Sequence, residues 1–453
     1  MPKVSLYNHF QPWRDGLYIA YNAFTGAIAT MTGENYAIYQ KLTAKLAQNP
    51  LSDLNEEEME LRRQLEYGHF LYPDDRDERE SVKFIHSRAR YGQSSLALTI
   101  APTMACNMAC KYCFEENKTG RMSAETIKAL VKFVKKRAPF TEKLFAGWYG
   151  GEPLLAMDII EELGSAFIKL SNEHEMVYSS SMISNGYLLT PENTDRLEQL
   201  GVGNIQITID GPSRLHNEKR PLKNGQPSFD TIIDNMIYAS DKMGLSLRIN
   251  VDKSFRAEII AELLDEIDAV GLREKVSVHF GKIEASTRAC ANISETCFNM
   301  AEFARITTDF YGLLLDNGFR IDLLPSPTTG ACMAQTVSGF LIDSDGDIYR
   351  CFNHPGDKEK SMGNISADID FQHPNFTRMF RFNPCDDQTC SVCNILPICM
   401  GGCPSRREDR GITGEELCQT WKHNLEPMLE IIARSKLNEQ AKGQIRAEAK
   451  GSK

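Results

Sequence analysis

Three cysteines stand at positions 106, 110 and 113, in the stretch MACNMACKYCFEE (104–116), with an aromatic residue, Tyr112, directly before the last. Thiolates gathered this closely usually bind metal. Three of them can hold three irons of a [4Fe–4S] cluster and leave the fourth iron without a protein ligand. An open metal position is what a catalytic site requires. Zinc is the competing occupant, but it needs a fourth ligand nearby, and the loop offers no histidine or further cysteine. A second group lies towards the other end: Cys332, then Gly346-x4-Cys351, then Cys390-x2-Cys393-x5-Cys399-x3-Cys403, and finally Cys418, with Cys385 among them. Zinc also competes for a CxxC…CxxxC arrangement.

These groups must be carried by a large fold. The chain has 453 residues, of which 42% are hydrophobic and 25% charged. That length predicts two or three globular domains. The net charge is −10, and no basic patch marks a nucleic-acid binder. No run of 18 apolar residues suggests a membrane span. The opening MPKVSLYNHFQPWRDG lacks the apolar core of a secretion signal. A cytoplasmic location is expected. Thirteen cysteines, an odd number, then argue against a disulfide framework, because the cytosol keeps thiols reduced.

The elements that position the first cysteines follow from periodicity. A strand over 95–100 runs into the cysteine loop. A helix capped by Ser123 runs to Arg137, and strand 144–150 and helix 159–170 follow. Next comes strand 178–186, then a helix opened by Thr190-Pro191 and closed by Gly201. Strands over 204–210, 245–251 and 276–281 alternate with further helices, the last over 299–316. About six βα units predict an α/β fold, a partial (β/α)6 TIM-like barrel, with its active site in the loops after the strands. The cysteine loop follows the first of these strands.

Ahead of the barrel, residues 16–45 read as two strands around a turn (Asn22 to Gly26) and a helix after Thr32. They form part of a small separate α+β module over 1–92, with a linker at Asp74–Arg79. Beyond 325 the alternation stops, and a cysteine-rich domain over 326–425 is expected to be held by metal rather than by a large core. A polar tail occupies 426–453. DSDGD (343–347) looks like a calcium loop, but His354 stands where that loop needs a glutamate, so it reads as a hairpin turn. Cys290 and Cys297 lack a partner pattern and read as ordinary buried thiols.

Cys106-x3-Cys110-Lys111-Tyr112-Cys113 resembles the signature of the radical S-adenosylmethionine (SAM) enzymes. The resemblance implies that SAM chelates the open iron, and that one electron cleaves it to a 5′-deoxyadenosyl radical. YGGEPLL (149–155) resembles the family's GGEP motif, which places Gly150, Gly151 and Glu152 at the SAM amine. It could also be a glycine turn before a helix with Pro153 at its start. ISNGYLLT (183–190) resembles a strand end that puts Asn185 near the ribose. QITIDGPSRLHNEKR (206–220) resembles a stretch in which Thr208 faces the SAM carboxylate, with Arg220 assisting or serving as an ordinary ion-pair partner. Tyr112 would lie beside the cofactor. Asp210 reads as a structural turn residue.

The second cysteine set resembles the SPASM domain, which holds two auxiliary [4Fe–4S] clusters. By that resemblance Cys390, Cys393, Cys399 and Cys418 ligate one. Cys332, Cys351 and Cys403 ligate the other, whose fourth ligand is Cys385 or is missing. The N-terminal module resembles the PqqD-like element that docks a leader peptide by offering a sheet edge. The implied enzyme is an oxidoreductase that matures a ribosomally made peptide through a thioether or carbon crosslink, served by a flavodoxin- or ferredoxin-type electron donor. Two alternatives stand beside it: an anaerobic sulfatase maturase that makes formylglycine, and a non-catalytic iron–sulfur scaffold or redox sensor.

Overall fold

The computed structural model describes residues 2–48, 53–115, 119–328 and 332–451. The chain opens with β1 (Pro2–Val4), β2 (Asn8–Pro12), β3 (Leu17–Asn22), β4 (Ile28–Thr32) and α1 (Gly33–Gln48). Next are α2 (Glu56–Tyr67), β5 (Leu71–Pro73) and α3 (Glu78–Tyr91). β2, β3 and β4 form an antiparallel sheet, and β1 pairs with β5. The expected turn is built on Asn22, whose Oδ1 accepts the N–H groups of Phe24 and Thr25, both at 3.0 Å. Such side-chain capping is why Asn favours turns.

This module has a core of its own, with Leu42, Leu61, Leu65 and Leu71 buried together. It is not free-standing, in contrast to the sequence expectation. Tyr7, Ile19, Tyr21 and Val82 belong to the core shared with the rest of the molecule. Helix α3 is pinned to the cysteine-rich part: Arg90 donates to the carbonyl of Phe380 (2.9 Å), and the Arg90 carbonyl accepts from Val337 (2.9 Å).

The central sheet follows. Its strands and helices are β6 (Ser95–Ile100), α4 (Ala124–Arg137), β7 (Lys143–Trp148), α5 (Met157–Glu173), β8 (Val177–Ser184), α6 (Pro191–Gln199) and β9 (Val202–Thr208). Then come α7 (Ser213–Lys219), α8 (Phe229–Ala239), β10 (Gly244–Val251), α9 (Ala257–Ala269), β11 (Val276–Lys282) and α10 (Met300–Asp316). β6 to β11 lie side by side in chain order and all run parallel. These are the six expected βα units. Sheet residues such as Leu98, Leu144, Ile205 and Leu247 are fully buried against helix residues such as Leu130, Leu163 and Leu263. Parallel sheets need this cover on their faces.

The remaining elements are β12 (Gly339–Ile342), β13 (Ile348–Tyr349), short helices α11 (Pro374–Thr377), α12 (Leu396–Cys399) and α13 (Pro404–Glu408), and the long α14 (Trp421–Gly451). β12 pairs parallel with β6 and extends the barrel sheet, with β13 antiparallel beyond it. The sheet therefore crosses the expected boundary at 326. The reason is apolar: Phe340, Leu341 and Ile342 are fully buried. Asp343 makes the predicted hairpin turn by accepting from Asp345 (3.0 Å) and Asp347 (2.9 Å). The supposed tail also starts too early. Met428, Leu429 and Ile432 are buried in the first turns of α14, so the polar part begins after them. Cys290 is buried as expected, whereas Cys297 is only half-buried. Among the described residues no helix is long and apolar enough to cross a membrane.

Candidate active site

The loop after β6 delivers Cys106, Cys110 and Cys113 to the wall of a cavity of about 490 Å³. A strand-like backbone seam holds that loop. Tyr149 N–H donates to the Ile100 carbonyl (2.9 Å), Gly151 N–H to Thr103 (3.2 Å) and Glu152 N–H to Ala105 (2.9 Å). The seam is too tight for side chains. A Cβ on Gly150, which has φ +119°, would stand 2.3 Å from the Thr103 carbonyl oxygen. On Gly151 it would stand 2.4 Å from those of Met104 and Ala105. Only glycine meets both demands.

Glu152 does not face the cavity. Its Oε1 accepts from Leu154 N–H (3.1 Å) and Ser184 Oγ (2.9 Å), and its Oε2 from Asn185 N–H (2.8 Å). Burial pushes this carboxyl up, and the three donors oppose that. The side chain ties the end of β8 to the β7 loop. Asn185 is held there, lines the cavity, and donates through Nδ2 to Asn107 Oδ1 (2.7 Å), beside Cys106. Burial pushes the Cys106 thiol up to about 11, against a Met108 N–H that favours the thiolate.

On the other side, Tyr112 enters a knot of polar groups. Its hydroxyl donates to Asp210, a fully buried carboxylate at the end of β9. It accepts from Arg220 Nη1 (2.6 Å) and Asn250 Nδ2 (3.2 Å). Asp210 also accepts from Asn250 N–H (3.0 Å) and pairs with Arg220 at 3.7 Å. Asp210 is therefore more than a turn residue. Thr208 and Arg220 line the cavity, as do Gly150 and Gly151.

The cavity includes Gln206, which opens the quoted stretch 206–220, and residues that sequence reading missed: Arg248 and Asn250, Lys282 at the end of β11, Glu284 beyond it, and Phe352 and Asn353. Only Asn250, Lys282 and Glu284 had a signal, their place near a strand end. Arg248 Nε donates to Asn250 Oδ1 (2.7 Å). Glu284 is held by Lys282 (3.0 Å) and Arg410 (2.6 Å), and the two cations outweigh burial to keep its carboxyl below the usual range.

The C-terminal cysteines fall into two neighbourhoods. Cys418 lies within electrostatic reach of Cys399 and Cys393, and Cys390 of Cys399. Cys332, Cys351 and Cys403 are mutual neighbours in the same sense. Cys385 stands elsewhere, against α3, where Lys83, Arg90 and Glu80 are its charged neighbours together with Asp386. All thirteen cysteines are free. Among the described residues no three His, Cys, Asp or Glu side chains converge on a single ion. Among the described residues, the three loop thiols share the cavity wall with no further cysteine or histidine. That donor set suits three corners of a cluster with the fourth facing the cavity, and it does not suit a closed zinc site.

Residues 100–267 match the model of the radical SAM superfamily. The serine-type anaerobic sulfatase-maturating enzyme of Bacteroides thetaiotaomicron is 25% identical over 75% of this chain and 91% of its own. The mycofactocin maturase of Mycolicibacterium smegmatis is 25% identical over 70% and 80%. Among solved structures, native anSMEcpe with bound AdoMet and a Cp18Cys peptide superposes with a TM-score of 0.56 at 18% identity, over 76% of this chain and 98% of its own. Streptococcus suis SuiB bound to the precursor peptide SuiA superposes at 0.51 and 17%, over 89% and 95%. Residues 96–453 are less than four-fifths of the chain, so the SuiB match reaches into the N-terminal module. Residues 100–267 therefore carry a radical SAM domain, whose cofactors are a [4Fe–4S] cluster and S-adenosylmethionine.

Proposed function

We propose that this enzyme modifies a side chain of a ribosomally made precursor peptide, joining sulfur to carbon or carbon to carbon. One observation carries the reading: a single cavity is walled both by Cys106, Cys110 and Cys113 and by Phe352 and Asn353, which directly follow Cys351. A substrate there would lie beside the three loop thiols and next to the segment that carries Cys351.

Cys106, Cys110 and Cys113 would hold the first cluster, with SAM at its open iron. When bound, that pair supplies a carbon radical able to take hydrogen from an unactivated position. The chain's own residues do the rest. Arg220, held charged in the knot, and Thr208 offer donors to the SAM carboxylate. The backbone of Gly150 and Gly151 walls the amine side. Asn185, on the cavity wall, would approach the ribose. Tyr149 and Phe352, which meet edge to face at 5.1 Å, would add apolar surface to the cavity wall. Cys390, Cys393, Cys399 and Cys418 would hold one auxiliary cluster, and Cys332, Cys351 and Cys403 another. Cys385, placed against α3, is a poor fourth ligand, so the second auxiliary cluster would keep an open iron. A flavodoxin- or ferredoxin-type donor would supply the electron.

The N-terminal module would dock the leader. Among the described residues strand β4 pairs with β3 on one side only, while β2 lies against the C-terminal part, where Gln11 Nε2 donates to the Glu426 carbonyl (2.9 Å). The reach of the SuiB likeness into this module supports that role. The sulfatase-maturase relative keeps formylglycine formation as a second reading. Alanine at Cys106, Cys110 or Cys113 should abolish 5′-deoxyadenosine formation while about eight irons remain on the C-terminal cysteines. Full activity in any one of these variants would refute the cluster assignment.

A further inference from the structure

The hydroxyl of Tyr112 is fully used. A phenol has one hydrogen to give and can accept two. Here the hydrogen goes to Asp210, and the two acceptances come from Arg220 Nη1 and Asn250 Nδ2. Nothing is left over for a ligand. The partners come from three separate elements: Asp210 from the end of β9, Arg220 from the end of α7, Asn250 from β10. The loop itself adds a fourth. Asp210 is anchored a second time by Asn250 N–H, and its own N–H meets His216 Nδ1 (3.3 Å). His216 Nε2 reaches Ser228, whose Oγ donates to the Arg220 carbonyl (3.0 Å). Arg220 is thus gripped at both its guanidinium and its backbone, and its position in the cavity follows that of Tyr112.

We propose that Tyr112 is a latch. Its hydroxyl couples the seating of the cysteine loop to the placement of the Arg220 guanidinium, so a loop settled on its cluster also presents the group that receives the SAM carboxylate. Tyr112 is a positioning residue that acts through Arg220. The inference rests on the reading that Arg220 receives that carboxylate.

The latch has a signature that a merely structural tyrosine lacks. SAM binding is measured anaerobically by equilibrium dialysis on the reconstituted full chain, alongside iron counts, for wild type, Tyr112→Phe, Arg220→Ala and the double variant. The expected result is about tenfold weaker SAM binding for Tyr112→Phe at unchanged iron, with the double variant no weaker than Arg220→Ala alone, because coupled residues are not additive. Losses that simply multiply in the double variant would overturn the latch, as would wild-type binding in Tyr112→Phe. Wild-type binding in Arg220→Ala would instead remove the carboxylate assignment, and the latch with it. If Tyr112→Phe fails to load iron, Asp210→Asn makes the test from the far side of the knot. It should weaken SAM binding similarly at full iron, and wild-type binding there would overturn the latch.

Discussion

Gly151 has no room for a methyl group, because two carbonyl oxygens lie 2.4 Å from where its Cβ would be. Both belong to backbone, which cannot swing aside as a side chain could. Gly151→Ala should therefore cost at least the roughly 1–3 kcal/mol of an overpacked site. The damage would concentrate in the cysteine loop, and iron in the reconstituted protein should fall from about twelve to about eight per chain. Gly312, inside α10, has nothing within 4 Å of its virtual Cβ. Gly312→Ala should leave iron unchanged and stabilise the helix by about 0.5–1 kcal/mol. Iron counts and thermal melts on the pair check both signs. At this scale the sequence was legible where chemistry is local: cysteine spacing, a helix cap at Ser123, a turn at Asn22. It was silent where function depends on aim. Glu152 stands in a stretch that reads as a cofactor contact, yet its carboxylate turns inward to three donors. Arg248, Asn250 and Glu284 line the cavity from places in or just after ordinary strands that no spacing distinguishes.

Helix α3 carries a test of pH. His86 is buried on it, and among the described residues neither ring nitrogen has a hydrogen-bond partner. Burial, helped by Arg90, lowers its pKa from 6.5 to about 4. Between those values the unfolded chain binds the proton and the folded chain does not, so stability falls as pH drops from 6.5 towards 4. The whole window amounts to at most roughly 3 kcal/mol. His86→Leu should flatten the slope of melting temperature against pH between 7 and 5. An unchanged slope would show that the ring is not held neutral.

Strand β4 carries a test of docking. In an antiparallel pair, alternate residues turn their N–H and C=O outward, so one of Ala29 and Thr30 offers its N–H to the open edge. Proline at that position should abolish binding of a leader-bearing peptide by blocking an added strand, while SAM cleavage continues. Retained peptide binding with proline at each position in turn would move the docking site elsewhere. The six parallel strands were readable from alternating periods. The pairing of β12 with β6 was not, because residues 339–342 and 97–100 meet across most of the chain without any local sign.

For the whole molecule, the parts are built into one another rather than strung together. β12 continues the barrel sheet, and the chain after the hairpin brings Phe352 and Asn353, next to Cys351, to the same cavity as Cys106, Cys110 and Cys113. Helix α3 braces the C-terminal part through Arg90, and α14 returns along α10 as Asn424 Nδ2 donates to Thr308 Oγ1 (2.9 Å). The cavity is thus built by the barrel and the C-terminal part together. The most direct test is anaerobic reconstitution followed by iron and sulfide counts and a dithionite-driven assay for 5′-deoxyadenosine. About twelve irons per chain together with SAM cleavage is the predicted result. A fully loaded protein that leaves SAM intact would contradict it.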